Sequence, residues 1–138
     1  MNYVALDAGD HHVIKAAVEV VVRNYREGRH SVGSAVLGAS GRIYAGVNIE
    51  SCGYGPCAEP IAIGTAISSG ERGFLTIVAV EGWNDTHAPM PPCGNCRQLM
   101  IDYMPEAMVI LQVDGKLVKV KAKDLLPHPS YNFDPPIE

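Results

Sequence analysis

Three cysteines stand at the predicted starts of two helices, and this arrangement constrains the fold more than any other feature of the sequence. Cys57 opens a small-residue segment that runs to Ser69, and Cys93 and Cys96 form a C-x-x-C unit that opens the segment ending at Tyr103. The free amides and the dipole of a helix N-terminus favour thiolates. The two helices are therefore expected to lie side by side, with three thiols facing one cation.

Zinc is the metal that these cysteines predict, because thiolate-rich tetrahedral sites are typical of Zn²⁺. A structural four-cysteine site that also uses Cys52 stays open as an alternative, although Cys52-x4-Cys57 is a loose partner for the C-x-x-C unit. A thioredoxin-like redox pair is a weaker alternative, because such a motif does not include a third cysteine and an adjacent glutamate.

Glu59 is the candidate catalytic residue, two positions after Cys57 in the first turn of the predicted helix. A carboxylate beside a three-thiolate zinc with an open position can take a proton from an activated water and pass it on. The plainer interpretation is a first-turn acid that the helix dipole favours. The combination of C-x-E with a later P-C-x-x-C favours the catalytic interpretation.

The rest of the chain alternates between helical and strand patterns. Apolar residues at helical spacing predict a helix from His11 to Arg26, with Asp10 as its cap. Apolar runs and turn signals predict strands at 31–39, 42–49, 74–80, 108–113 and 116–120, and a short helical piece at 123–126. Strands that alternate with helices predict one α/β sheet covered on both faces.

Composition limits the class of protein and its partners. A chain of 138 residues, 47% of them hydrophobic, predicts one domain over 1–138, with a frayed N-terminus at 1–9 and an extended Pro-rich tail at 127–138. The net charge of −4, without a basic cluster, argues against a nucleic-acid polymer as partner. No uncharged run approaches the ~18 residues of a membrane span, and no signal-peptide pattern opens the chain, so a cytoplasmic location is expected.

The motifs together resemble the cytidine deaminase family. The resemblance runs from Val13 to about Tyr131 and rests on four segments, namely G-V-N-I-E at 46–50, C-A-E at 57–59, P-C-G-N-C-R-Q at 92–98 and D-L-L-P at 124–127. C-x-E with P-C-x-x-C is the zinc deaminase signature in its three-cysteine variant. The resemblance implies a three-layer α/β/α sandwich with a five-stranded mixed sheet. It also implies a homotetramer in which neighbouring subunits border each active site.

The same resemblance implies roles for single residues. It assigns one Zn²⁺ per subunit to Cys57, Cys93 and Cys96, with Glu59 as the proton shuttle. Asn48 and Glu50 are implied to hold the sugar of a nucleoside. The other candidate substrate contacts are His30, Ala58, Tyr131 and Phe133. Arg97 is the residue expected to soften the negative charge of the three thiolates.

Two branches of the family fit different parts of the sequence. The N-x-E motif, Asn48-Ile49-Glu50, resembles the nucleoside-recycling cytidine deaminases. The short loop before Cys57 looks more like that of blasticidin S deaminase. Pro60 and His30 stand where the cytidine deaminases usually have Arg and Phe.

The sequence therefore predicts zinc-dependent hydrolytic deamination of a cytosine nucleoside, cytidine or deoxycytidine, to the uracil nucleoside and ammonia, as in pyrimidine salvage. One alternative is an aminohydrolase for a cytosine-containing antibiotic such as blasticidin S, or for another amino-heterocycle. The alternative from another class is a non-catalytic module stabilised by zinc.

Overall fold

The computed structural model describes residues 1–129, and its helices and strands follow the predicted order. The elements are α1 (Ala8–Asn24), β1 (Val32–Gly38), β2 (Ile43–Val47), α2 (Ala58–Ser68), β3 (Phe74–Glu81), α3 (Gly94–Tyr103), β4 (Met108–Val113) and β5 (Lys116–Lys121), followed by a 3₁₀ turn (Ala122–Leu125). No helix in this part of the chain is long and apolar enough to span a bilayer. The Pro-rich tail predicted at 127–138 lies outside the described residues from position 130 onward.

The five strands form one mixed sheet in the order β2-β1-β3-β4-β5, as predicted. Only the β3–β4 pair is parallel, because α3 carries the chain back across the sheet between them. β2 and β3 each run antiparallel to β1 and therefore run in the same direction. Their carboxyl ends meet at one edge of the sheet, where α2 and α3 begin.

Alternating side chains of the central strands pack into two separate cores. On β1, Ala35 packs with α1 on one face of the sheet, and the next residue, Val36, packs with α2 and α3 on the other. On β3, Val78 packs on the face covered by α1, and Ile77 packs on the face covered by α2 and α3. This period of two is that of a sheet buried on both faces. It confirms the layered α/β arrangement that the sequence predicts.

The N-terminus of α1 differs from the prediction. Asp7, not Asp10, is the N-cap, and the two carboxylates each accept a hydrogen bond from the other residue's backbone amide in a capping box. Lys119 Nζ lies 2.8 Å from Asp10 Oδ2, and Val4 pairs with Lys119 through the backbone. Residues 8 and 9 thus belong to α1 instead of the frayed segment expected at 1–9, because β5 supplies partners that local sequence does not reveal.

Candidate active site

Two helix N-termini bring three thiols together at the shared edge of the sheet. Cys57 is the N-cap of α2, and Cys93 is the N-cap of α3. The sulfur atoms of Cys57 and Cys93 are 3.5 Å apart, and those of Cys93 and Cys96 are 3.4 Å apart. All three sulfurs lie within 4.8 Å of one another. The C-x-x-C unit and the more distant cysteine therefore converge as the sequence predicts.

The donor set fits zinc. A tetrahedral zinc with Zn–S bonds of ~2.3 Å needs sulfurs roughly 3.8 Å apart, which is close to the observed separations. The three cysteines are free, and their sulfurs are too far apart for a disulfide bond of ~2.05 Å. Cys52 is exposed and outside the cluster, so the structure does not assemble the alternative four-cysteine site.

The thiols differ in their electrostatic surroundings. Burial raises the pKa of Cys57 and of Cys96, and the hydrogen bond to Cys93 and the carboxylate of Glu59 act on both in the same direction. Partial burial also acts to raise the pKa of Cys93, but the backbone amides of Cys96 and Asn95 and the neighbouring thiols lower it below its ordinary value. The free amides of the α3 N-terminus thus stabilise a thiolate at Cys93.

Glu59 lies beside the cluster in the first turn of α2. Its side chain is almost completely buried, with 5% of the residue exposed. This burial raises the pKa of the carboxyl, although hydrogen bonds to its own backbone amide and to Cys96 act in the opposite direction. Ala58, the preceding residue, is fully buried. The first turn of α2 therefore presents a carboxyl next to the thiols.

A cavity of about 350 Å³ opens directly onto this cluster. Cys57, Cys93, Glu59 and Ala58 form one part of its wall. Asn48 and Glu50 form another part of the wall. The structure therefore brings six of the predicted site residues to the wall of one cavity, and Cys96, the buried third thiol of the cluster, is the seventh.

Asn48 fixes the position of Glu50. The buried Asn48 side chain accepts hydrogen bonds through Oδ1 from the backbone amides of Ser31 and Val32, at 2.8 and 3.0 Å. Its Nδ2 group donates to Glu50 Oε2 at 2.9 Å. Both sides of the amide are thus engaged within the protein. Glu50 remains exposed, with a carboxylate oriented at the cavity wall.

Other predicted site residues lie elsewhere. His30 is not part of the cavity wall; its Nδ1 atom lies 2.9 Å from the carbonyl oxygen of Asn48. The Arg97 guanidinium donates to the carbonyls of Pro92 and Leu125 rather than to a thiol, so in the described structure it ties the C-x-x-C loop to the 3₁₀ turn. Tyr131 and Phe133 lie outside the described residues.

Several cavity residues escaped the sequence analysis. Trp83 and Met90 belong to none of the sequence motifs, yet both line the cavity. Ser31, Val32 and Ala79 also line it. No spacing rule connects these positions to the cysteine motifs, because the sheet and the loop after β3 bring them there. The one tryptophan of the sequence, in the loop before the C-x-x-C unit, was the available signal.

Comparison with known proteins gives a family for this geometry. Residues 8–112 match the model of the cytidine and deoxycytidylate deaminase zinc-binding region. A blasticidin-S deaminase from Bacillus cereus is 38% identical over 125 residues, which cover 86% of this chain and 89% of that protein. A cytidine deaminase from Halalkalibacterium halodurans is 39% identical over 103 residues, which cover 72% of this chain and 76% of that protein.

The fold agrees with solved structures of the same family. The crystal structure of cytidine deaminase from Burkholderia pseudomallei superposes with a TM-score of 0.70 at 34% identity, and the match covers 86% of this chain and 96% of that one. The matched region contains the two helix starts, the three thiols and Glu59. The chain therefore belongs to the zinc-dependent cytidine and deoxycytidylate deaminase family.

Proposed function

We propose that this chain is a zinc-dependent hydrolase that converts cytidine or deoxycytidine to the uracil nucleoside and ammonia. The observation that carries the proposal is one cavity that joins the thiol pair of Cys57 and Cys93, the buried carboxyl of Glu59 and the carboxylate of Glu50. Zinc, when bound by the thiols, supplies the Lewis acidity that activates water for attack at C4 of the pyrimidine.

Glu59 is the proposed proton shuttle. It is the carboxyl next to the thiols, and the surrounding protein shields it from bulk water. In this role it accepts a proton from the attacking water and delivers it to N3 of the ring; it then accepts the proton of the new C4 hydroxyl and delivers it to the departing amine, so that ammonia leaves and the C4 carbonyl forms. The fixed position in the first turn of α2 lets one group serve both steps without moving.

Glu50 is the proposed acceptor for the sugar. An ionised carboxylate only accepts hydrogen bonds, so it requires a donor, and the hydroxyls of ribose or deoxyribose supply one. The hydrogen bond from Asn48 Nδ2 holds one oxygen of Glu50 in place. Asn48 itself has its carbonyl oxygen occupied by two backbone amides. We therefore assign it the positioning of Glu50 rather than the main contact with the sugar.

Blasticidin S is the second candidate substrate, and the match to a blasticidin-S deaminase over most of the chain favours it. The sugar of this antibiotic lacks those ring hydroxyls and carries a carboxylate. Near Glu50 the carboxylate of the antibiotic would face a like charge, and Glu50 would have no hydroxyl to donate a hydrogen bond to it. A polar group left unpaired in this way costs about 1–3 kcal/mol or more. On this ground we rank cytidine and deoxycytidine above the antibiotic.

We also propose a homotetramer, a cytoplasmic location and a place in pyrimidine salvage. The support for assembly is the outer face of α2, where Pro60, Ile61 and Gly64 line a shallow open depression. Gly64 leaves room for close approach of another surface, since a Cβ there would meet nothing within 4 Å. The support for the cytoplasm is the set of free cysteines, which must stay reduced to bind a metal.

Ammonia release from a panel of compounds tests the proposed function. The panel is cytidine, deoxycytidine, 2′,3′-dideoxycytidine, cytosine and blasticidin S, with zinc-loaded wild-type protein. We expect the highest kcat/KM for cytidine or deoxycytidine and a far lower value for dideoxycytidine, because sites built for a hydroxyl reject an analogue without it by up to about 10⁴-fold. A clear preference for blasticidin S, or equal values for cytidine and dideoxycytidine, would contradict the assignment.

A further inference from the structure

Trp83 is the one tryptophan of the chain, and it occupies an unusual place for such a residue. It lies in the loop between β3 and α3, is 50% exposed, and lines the same cavity as Glu59 and Glu50. A large apolar ring that is half exposed at the wall of a cavity is typical of a ligand contact. None of the chemistry proposed above uses it.

The loop that carries Trp83 is closed at its base. Backbone hydrogen bonds join Glu81 N to Ala88 O at 3.1 Å and Met90 N to Ala79 O at 2.8 Å. Within the loop, the Glu81 carboxylate accepts hydrogen bonds from Asn84 Nδ2 and Thr86 Oγ1. The chain on both sides of the indole is therefore held by the protein before any ligand arrives.

Gly82 anchors the backbone immediately before Trp83. Its amide donates to the carbonyl of Ser31 at 2.8 Å. The contact is so close that a Cβ at position 82 would lie 2.5 Å from Val21 Cγ2 and 2.8 Å from the Ser31 carbonyl oxygen. Only glycine allows this approach. The residue before Trp83 is thus attached directly to Ser31.

Ser31 also connects to the residues assigned to the sugar. Its amide donates to Asn48 Oδ1 at 2.8 Å, and Asn48 Nδ2 donates to Glu50. A continuous set of hydrogen bonds therefore runs from the backbone beside Trp83, through Ser31 and Asn48, to the carboxylate of Glu50. Trp83 and Glu50 both line the cavity, so these hydrogen bonds join the backbone beside the indole to the carboxylate through the protein.

We propose that Trp83 is the sugar-side wall of the site and packs against the apolar C–H face of the pentose while Glu50 accepts its hydroxyl. The inference rests on the proposed function, since it names the contact that recognises the non-reacting half of the substrate. A pentose presents C–H groups on its faces and hydroxyls at its edge. An indole paired with a carboxylate matches both, and the closed loop limits the conformational entropy lost on binding.

Tryptophan fluorescence tests the contact without turnover, because the emission comes from position 83 alone. Wild-type protein is titrated with uridine, a product-type ligand, and with 1-methyluracil, which has the ring without the sugar. Calorimetry on the same samples measures binding independently. We expect a saturable change in emission with uridine at the calorimetric Kd, and a much smaller change with 1-methyluracil at matched occupancy.

Kinetics of W83A and W83F supply the second measurement, with Y54A as the matched control. Tyr54 is an exposed aromatic residue in a neighbouring loop that does not line the cavity. We expect W83A to lower kcat/KM for cytidine about tenfold or more, mainly through KM, on the scale of removing an aromatic binding anchor. W83F should retain most of the activity, and Y54A should match wild type. Zinc content and thermal unfolding confirm that each variant is folded.

The outcomes separate the inference from the proposed function. Uridine binding without a change in emission overturns the inference and leaves the proposed function standing, as does W83A with unchanged kcat/KM for cytidine. Equal emission changes with uridine and 1-methyluracil also overturn it, since they assign the indole to the base. Failure of wild-type protein both to bind uridine and to release ammonia from any nucleoside contradicts the proposed function and the inference together.

Discussion

Cys57 and Cys93 occupy the same position on two different helices, with their sulfur atoms 3.5 Å apart. Each is an N-cap with nearly identical backbone angles, φ −64° and ψ 172° for Cys57 and φ −70° and ψ 172° for Cys93. An N-cap side chain ordinarily accepts a hydrogen bond from its own helix; the Cys57 thiol accepts none, and at Cys93 the amides of Asn95 and Cys96 favour the thiolate form. Both are therefore available to a metal ion.

The first prediction concerns these ligands. Zinc should be mostly lost from each of the variants Cys57→Ala, Cys93→Ala and Cys96→Ala, because the two remaining thiolate ligands bind the ion more weakly than three. Zinc per subunit is measured on purified protein by elemental analysis. Cys52→Ala is the matched control and should keep about one zinc per subunit. Loss of zinc from the Cys52 variant would show that a fourth cysteine belongs to the site.

The second prediction separates the roles of Asn48 and Glu50. Asn48→Ala should lower the free energy of unfolding by about 1–3 kcal/mol, because the amides of Ser31 and Val32 lose their buried acceptor. Glu50→Ala should leave stability within about 0.5 kcal/mol, since the side chain is exposed. Urea unfolding measures both values.

Kinetics complete that test. Both variants should have a higher KM for cytidine. Glu50→Ala removes the proposed sugar acceptor, and Asn48→Ala removes the hydrogen bond that holds this acceptor in place. In Glu50→Ala, the ratio of kcat/KM for cytidine to kcat/KM for dideoxycytidine should fall toward one. An unchanged ratio in that variant would show that Glu50 does not contact the sugar hydroxyls.

The thiol cluster and the carboxyl beside it were predictable from sequence because each motif depends on short-range spacing. C-x-x-C places two thiols one helical turn apart, and Cys57-Ala58-Glu59 places a carboxyl in the first turn of α2. The meeting of the two helices was predictable from the resemblance and from the strand order. The structure adds the reason, since β2 and β3 end at the same edge of the sheet.

The residues that the sequence did not reveal depend on tertiary contacts. Trp83 follows Gly82, whose amide donates a hydrogen bond to the carbonyl of Ser31, about fifty positions earlier in the chain. Asp7 caps α1 as part of a capping box, in which the Asp10 carboxylate also accepts a hydrogen bond from the Asp7 amide. A search for a single cap residue does not detect such a pair. Arg97 reaches the carbonyl of Leu125, a partner that no local pattern identifies.

The third prediction concerns pH and the anchoring of α1 to β5. Hydrogen bonds to Asp10 and Asp7 raise the pKa of Lys119 above its ordinary 10.5, and the hydrogen bond from Lys119 lowers the pKa of Asp7 below its ordinary 3.8. The interaction of Lys119 with Asp7 therefore stabilises the folded state between the two ordinary pKa values, 3.8 and 10.5. The contribution is lost as pH falls from about 4 through the lowered pKa of Asp7, and as pH rises above about 10.5 through the raised pKa of Lys119.

Lys119→Met measures this contribution. Near neutral pH it should cost about 1.5–3 kcal/mol, because Lys119 is largely buried and bonds the buried Asp10. Urea unfolding at pH 3, 7 and 11 should show the largest difference from wild type at pH 7. Lys15→Met removes the exposed pair with Glu19 and should have almost no effect. A difference that is independent of pH would refute the electrostatic account.

The fourth prediction concerns assembly through α2. Gly64→Arg places a charge on the outer face of this helix, where a new Cβ meets nothing within 4 Å, and should convert the proposed tetramer to smaller species in sedimentation or light scattering. Val22→Arg is the control, since Val22 is an exposed apolar residue on α1, on the opposite side of the sheet. A wild-type monomer with full activity, or equal behaviour of the two variants, would contradict assembly through α2.

The most direct test of the account is the activity of Glu59→Gln measured with its zinc content. This change keeps the size of the side chain but removes its ability to accept and return a proton. We predict about one zinc per subunit, an intact fold, and ammonia release from cytidine reduced by about 10²–10⁴-fold or more. Glu71→Gln, at another buried glutamate outside the cavity, should stay close to wild type per mole of zinc. Near-normal turnover by Glu59→Gln would contradict the central claim that this carboxyl carries the proton.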